Sequence, residues 1–191
     1  MTDSHVRDRG GKRERLVASA GDLLHRQGVS ATALAEVAAA ADVPLGNVYY
    51  YFKTKDDLVR AVIDARTDQV RAMLDSLQTR RTPSARVKAL AHQWVEMRDL
   101  VARYGCPFGI LASELDRRDD GLDEEAAKPI GLILDWTEDQ FRQIGRRDAR
   151  DLAIAFFAGV QGAALLANAL RDPEIVTGHV RHLERWIDTL A

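Results

Sequence analysis

The sequence predicts an all-α protein in two parts: an N-terminal three-helix domain built around a helix-turn-helix, then a larger helical domain. Three observations carry this. Apolar residues recur at three- and four-residue spacing along nearly the whole chain, and no segment shows sustained period-two alternation rich in β-branched residues. The first three helices are short and those after them are long. The chain has 191 residues, 46% hydrophobic and 29% charged, which suffices for a buried core without cross-links.

Leu16, Val17, Ala20, Leu23 and Leu24 mark the buried face of the first helix, which Gly28 stops. Ser30 and Thr32 offer a new start, and Leu34, Val37, Ala38 and Ala41 give a short second helix. Asp42 supplies a left-handed turn, less easily than glycine would. Pro44 suits the first position of a third helix whose inward face is Val48, Tyr51 and Phe52. Thr54 caps a fourth, with Asp56 and Asp57 in its first turn, where the helix dipole favours acids. Leu58, Val59, Val62, Ile63, Val70, Met73 and Leu77 continue it.

Pro83 opens a helix expected to carry Val87, Leu90, Trp94, Met97 and Val101 without a break. Tyr104-Gly105-Cys106-Pro107 stops it and starts the next. Asp119-Asp120-Gly121 is a loop. Leu122 to Ile144 is long, with Pro129 as a point of kinking. Asp148 begins an unusually apolar helix, and Pro173 starts the last, which ends near Leu190. The division between the parts falls in the fourth helix, near residues 59–68, giving domains 1–60 and 61–191.

Composition excludes several classes. A net charge of -2 rules out a strongly basic chain, though not a local basic patch. The single cysteine, Cys106, rules out an intrachain disulfide, and no Cys/His spacing suits a metal. Neither a metal nor another cofactor is expected. The opening MTDSHVRDRGGKRER is polar, neither signal peptide nor anchor. The apolar run Leu152–Leu170 is interrupted by Gly159, Gln161, Gly162 and Asn168, so no membrane span is expected and the location is cytoplasmic. Lysine is scarce beside arginine, a skew typical of a GC-rich bacterial genome.

Residues 30–55 carry the strongest functional signal. Two short helices joined by Ala41-Asp42-Val43-Pro44 form the arrangement whose second helix enters a DNA major groove. That helix presents Leu45, Gly46, Asn47, Tyr49 and Tyr50 outward. Gly46 leaves room for a phosphate or base. Asn47 can pair with a base edge or simply face solvent. Tyr49 and Tyr50 can reach phosphates or thymine methyls, whereas Tyr51 and Phe52 read as core. Lys53 and Lys55 suit phosphates, Lys55 better. Arg7, Arg9, Lys12, Arg13 and Arg15 form a basic arm, either touching DNA or acting as a solubilising tail.

Residues 12–63 resemble the DNA-binding domain of the tetracycline-repressor (TetR) family. The resemblance rests on Thr32 to Leu58, TALAEVAAAADVPLGNVYYYFKTKDDL: an EVA second helix, Gly46, the Tyr49-Tyr50-Tyr51-Phe52 run, and Lys55 before an acidic helix start. Over the remainder it covers helix pattern, not motif. It implies DNA contact by the hydroxyl residue Thr32, by Pro44, Leu45, Asn47, Tyr49 and Tyr50, and by Lys55 on phosphate. The chain departs from the pattern at Ala33 (often threonine), Asp42 (glycine), Pro44 (serine) and Leu45 (lysine). The last change removes a phosphate charge, so a shallower salt dependence is expected.

The resemblance further implies a homodimer on an inverted-repeat operator and an effector pocket in each second domain. The apolar helix is the expected dimer surface, through Phe157, Gly162, Leu165, Leu166 and Ala169, joined by Leu183 and Trp186 of the last helix. The competing reading makes these faces intrachain core. Trp94, Met97, Phe108, Leu111, Trp136 and Phe141, with His92 and Gln161 as polar groups, are candidate pocket walls or plain core. Cys106 sits before Pro107 at a helix start, where a thiol can be reactive. It is either a sensor of electrophiles or a small buried hydrophobe.

The function expected is therefore a dimeric regulator, a repressor released by a small apolar or electrophilic effector. The alternative is a helical binding protein or enzyme with a vestigial head. Its candidate carboxylates are Glu114, Asp116, Asp119, Asp120, Asp123, Glu124 and Glu125. No Glu-x-x-His pair or nucleotide loop accompanies them, and helix ends plus a solvated loop account for them. No catalytic residue is expected.

Overall fold

A computed structural model describes the backbone of residues 3–118 and 120–190, and the side chains from Gly11 onward within them. The elements are α1 (Asp3–Ala31), α2 (Leu34–Ala40), α3 (Leu45–Tyr51), α4 (Lys55–Leu77), α5 (Pro83–Glu96), α6 (Arg98–Tyr104), α7 (Pro107–Leu115), α8 (Leu122–Ile144), α9 (Ala149–Leu170) and α10 (Glu174–Asp188). No strand occurs among the described residues. Two compact units result: residues 1–67 with 110–126, and residues 68–109 with 127–191. Each boundary between them falls inside a helix: α4, α7 and α8.

In the first unit, Gly28 interrupts the helical course of α1 with φ of +86°, a conformation that side chains disfavour. Thr32 closes the turn, its Oγ1 donating to the Gly28 carbonyl at 2.7 Å. Ala33 has no side-chain oxygen to cap α2, so Glu36 accepts the Ala33 N–H at 2.9 Å instead. Asp42 takes the left-handed conformation, φ of 52°, and the Val43 N–H returns to the Ala38 carbonyl at 3.0 Å. Pro44 precedes α3 as its cap rather than opening it, and its carbonyl accepts from the Asn47 N–H at 2.8 Å. Thr54 and Asp57 cap α4 reciprocally, Thr54 Oγ1 accepting from the Asp57 N–H at 3.1 Å and Asp57 from the Thr54 N–H at 3.0 Å.

Leu16, Leu24, Val37, Val48, Phe52, Leu58 and Val62 form the core of this unit, and Leu111, Leu115, Leu122 and Ala126 join it from the later segment. Burying each large aliphatic stabilises by about 1.5–3 kcal/mol. Polar ties fasten the same segment. Arg118 forks onto Asp56 at 3.1 and 2.6 Å and also engages Asp120, and Arg60 Nε meets Glu125 at 3.2 Å.

In the second unit, Thr82 Oγ1 accepts from the Ala85 N–H at 3.2 Å, and Pro83 follows as the first residue of α5. The expected unbroken helix through Val101 is instead two: Met97, with φ of -103° and ψ of 13°, separates α5 from α6. Gly105, with φ of 82°, ends α6, and Pro107 opens α7. α8 runs through Pro129 as one element. Arg171 ends α9 in the left-handed conformation, and Pro173 caps α10 rather than beginning it.

α10 packs on α5 and α9, and α9 on α6. The core holds Leu90, Trp94, Ile133, Phe141, Phe156, Val160 and Ile187. Trp94 meets Phe157 edge-on at 5.8 Å, and Phe141 meets Trp186 at 6.0 Å. By length and composition α9 is apolar enough to cross a membrane, despite the small and polar residues that interrupt it.

Candidate nucleic-acid interface and second-unit sites

α3 is seven residues long and divides by side chain. Val48 is fully buried, while Leu45 is 42%, Tyr49 50% and Tyr50 61% exposed. Asn47 and Pro44 are exposed beside them. Leaving a leucine and two tyrosines about half exposed forgoes part of the about 1.5–3 kcal/mol that full burial of a large apolar side chain contributes. An added Cβ on Gly46 would meet nothing within 4 Å, and its backbone is ordinary helix. The protein's own packing therefore gives no reason for a glycine there. The displayed residues are thus Leu45, Gly46 and Asn47 with two hydroxyl-tipped rings.

Two lysines follow α3. Lys53 Nζ donates to the Tyr49 carbonyl at 3.1 Å, extending the end of α3. Lys55 Nζ donates to the Ser30 carbonyl at 3.4 Å, bridging back to the end of α1. An ammonium has three donors, so each lysine keeps protons for a second acceptor. Thr32 is only 4% exposed, its hydroxyl committed to Gly28. It shapes the start of α2 from within instead of displaying a side chain. The basic stretch before Leu16 is helical rather than a loose arm. Arg15 Nε donates to the Ala41 carbonyl at 3.0 Å, and the Arg13 guanidinium lies 5.4 Å from the centre of the Phe52 ring. The side chains of Arg7 and Arg9 lie outside the described residues.

The expected pocket walls separate. Trp94 and Phe141 are fully buried in the second unit's core, and Met97, Phe108 and Trp136 pack partly buried against it. Leu111 does not belong with them: it is 6% exposed in the core of the first unit. The indole N–H groups of Trp94 and Trp136 are buried without a hydrogen-bond partner among the described residues. Cys106 is buried, and Gln161 Nε2 donates to its sulfur at 3.4 Å. His92 bonds Glu184 at 2.8 Å on the surface. It borders a groove of about 400 Å³ with Leu77, Arg80, Lys88 and Gln93.

The expected dimer residues also divide. Phe157 and Leu183 are 5% exposed and are core, and Trp186 packs partly buried on Phe141. By contrast Ile154 is 47%, Leu165 68%, Leu166 53% and Leu170 66% exposed. With exposed Ala158 and Ala169 and the open Gly162, they line one stripe of α9. Ile154 and Leu170 were not among the expected residues, although the i, i+4 spacing through Ala158, Gly162 and Leu166 contains them. Between α9 and α10, His179 fills the space that a Cβ on Gly159 would take, at 2.6 Å from its Nε2. Burial, reinforced by the nearby His182, lowers the His179 pKa below its ordinary value.

Three of the acids weighed for catalysis serve as partners. Glu114 accepts from the Ser30 N–H at 3.1 Å, and Glu125 and Asp120 face arginines. Hydrogen bonding to Arg118 holds Asp120 below the usual carboxylate range, and Arg146 does the same for Asp148. No three His, Cys, Asp or Glu among the described residues are placed to share a metal. Asp119 lies outside the described residues.

A helix-turn-helix whose second helix exposes two tyrosines and is followed by two lysines, carried on an all-helical chain, defines a DNA-binding transcriptional regulator. Known proteins agree. The family model for bacterial regulatory proteins of the tetR family matches residues 16–62, and that for the LmrA/YxaF-like transcriptional regulator C-terminal domain matches residues 83–177. The chain belongs to the TetR family, whose members are transcriptional regulators and not enzymes. It is 29% identical to the transcriptional regulator AcuR of Cereibacter sphaeroides, covering 91% of this chain and 84% of that one. It is 27% identical to the regulator TtgR of Pseudomonas putida, over 93% and 88%. A TetR transcriptional regulator from Chloroflexus aurantiacus superposes with a TM-score of 0.82 at 25% identity, over 95% of this chain and 96% of that one.

Proposed function

We propose that the chain is a homodimeric, cytoplasmic repressor that binds an inverted-repeat operator and leaves it when a small molecule occupies the second unit. The observation that carries the reading is the division of α3: Val48 fully buried, Tyr49 and Tyr50 half exposed or more, and Gly46 open to anything that approaches. In this reading Leu45, Asn47, Tyr49 and Tyr50 enter the major groove. Pro44 lies against the backbone at the start of the helix, and Lys53 and Lys55 meet phosphates.

Two heads are needed because one seven-residue helix reads few base pairs. The α9 stripe is the surface proposed to pair them: four exposed aliphatic side chains in one row match what a second copy would cover. The effector site is proposed in the second unit around Trp94, Met97, Phe108, Trp136 and Phe141, with Cys106 and Gln161 as its polar or reactive edge. Two unpartnered indole N–H groups suit a molecule that brings an acceptor oxygen on an apolar body. Release then follows from the effector's tighter binding to the state in which the two heads are wrongly spaced.

The test is an unbiased selection of duplex DNA by the purified chain, read by sequencing. Enrichment of one inverted repeat with half-sites about 34–36 Å apart is expected. A folded dimer that enriches no duplex, with or without cell metabolites, refutes the reading.

A further inference from the structure

Ser30 lies near the end of α1, beyond the interruption at Gly28, and its two peptide groups face opposite charges. Its N–H donates to the Glu114 carboxylate at 3.1 Å, and its carbonyl accepts from the Lys55 ammonium at 3.4 Å. Both bonds are charge-assisted, and both align with the peptide dipoles of one residue. The carboxylate sits close. A Cβ on Gly28 would lie 2.8 Å from Glu114 Oε1 and 3.1 Å from Oε2. The glycine thus serves twice, accepting φ of +86° and leaving space for the acid.

Glu114 is not a loose surface side chain. It stands on α7 between Leu111 and Leu115, which are 6% and 1% exposed in the core of the first unit. Its backbone is therefore fixed by packing, and the turn takes its position from it. Within the first unit this acid comes from a segment 84 residues away in sequence from Ser30. The carboxylate keeps its negative charge while accepting this hydrogen bond, so by charge alone it opposes binding to a polyanion.

We propose that Glu114 is a positioning residue for DNA binding: it clamps the Gly28–Thr32 turn from behind, so that the Ser30 carbonyl holds Lys55 in place for a phosphate. The proposal rests on the reading of the α3 face and Lys55 as the DNA-contacting surface. Glu114 touches no DNA itself. It acts by sparing Lys55 the cost of ordering a long side chain at the moment of binding.

The test is a double-mutant cycle in the full chain, measuring affinity for the selected duplex across salt concentrations. Lys55→Ala is expected to lower affinity about tenfold and to flatten the salt slope by about one unit per head. Glu114→Ala should lower it about three- to tenfold with a similar flattening, although it removes a negative charge. In the Lys55→Ala background Glu114→Ala should add almost nothing. Glu114→Gln, which keeps an acceptor oxygen for Ser30, should restore most of the affinity. Multiplying effects, or an affinity loss with an unchanged salt slope, would overturn the proposal.

A second measurement needs no DNA. Amide exchange at Ser30 in the free protein should accelerate in Glu114→Ala, and to a smaller degree in Glu114→Gln if the alanine variant does not fold. Unchanged exchange overturns the clamp. A wild-type chain that enriches no duplex overturns proposal and function together, whereas a binding wild type with additive variants overturns only the role of Glu114.

Discussion

α3 and α9 both leave large side chains in water, but of different kinds. α3 exposes one aliphatic, Leu45, and two rings with polar tips, Tyr49 and Tyr50, beside an open Gly46 and two lysines. α9 exposes Ile154, Leu165, Leu166 and Leu170, which have no polar atom at all. A charged, hydrated polymer is suited by the first chemistry, because a phenol keeps a hydrogen bond while its ring covers a base edge or sugar. A dry protein face is suited by the second. The polar tips of Tyr49 and Tyr50 separate the two surfaces, and each predicts its own way to fail.

The largest expected effect lies just under the α9 stripe. Phe157 is buried against Trp94, so Phe157→Ala should cost about 3–5 kcal/mol of stability by opening a cavity. Its dimer dissociation constant should stay unchanged wherever the variant is folded. Chemical denaturation and sedimentation together check this, and a weaker dimer from a fully folded variant would return Phe157 to the interface.

Next is the stripe. Replacing Leu165 and Leu166 together by Asp should leave the melting temperature within a few degrees, since both are more than half exposed. Sedimentation should show a monomer, and operator affinity should fall at least about a hundredfold, since one head then binds alone. A variant that remains dimeric places the pairing surface elsewhere.

On α3, Gly46→Ala should move stability and binding in opposite directions. The fold should gain about 0.5–1 kcal/mol, because nothing lies within 4 Å of the new methyl and alanine favours helix. Affinity for the selected duplex should fall about tenfold if DNA occupies that space. Unchanged affinity would mean that α3 docks by another face.

The smallest effect is acid sensitivity. The folded-state pKa of His179 lies below its ordinary value, so below about pH 6.5 the unfolded chain takes up more protons than the folded one. Stability contributed by the neutral ring is present above that pH and is lost as pH falls from there through the lower folded-state pKa. Melting temperature should drop between pH 7.5 and 5.5, and His179→Leu should flatten that part of the curve. An equal drop in the variant assigns it to other groups.

Much of the head was legible because its turns are punctuated. Gly28, Asp42, Pro44 and the Thr54/Asp57 cap each mark a boundary by a conformation or hydrogen bond that few residues supply. The break at Met97 carries no such signal, and so one helix was expected where two stand. Periodicity also tells which face is buried but not against what. Leu111 and Phe157 were both rightly apolar, yet one packs in the first unit and the other in the second unit's own core. The exposure of Leu165 and Leu166 beside buried Phe156 and Phe157 is a matter of helix rotation in a nearly all-apolar segment.

The reading head is a discontinuous module. Exchanging heads between regulators is commonly pictured as one cut in the linear chain, but here a cut at Thr67 would strand Leu111, Leu115, Leu122, Ala126, Glu114 and Arg118 on the wrong side. The recipient would inherit a foreign patch against which its new head was never shaped. A working graft from this chain must carry two pieces, residues 1–67 and 110–126, and join them inside three helices without disturbing register. The same packing means that a change in the α7–α8 segment is felt by the reading head, far from it in sequence.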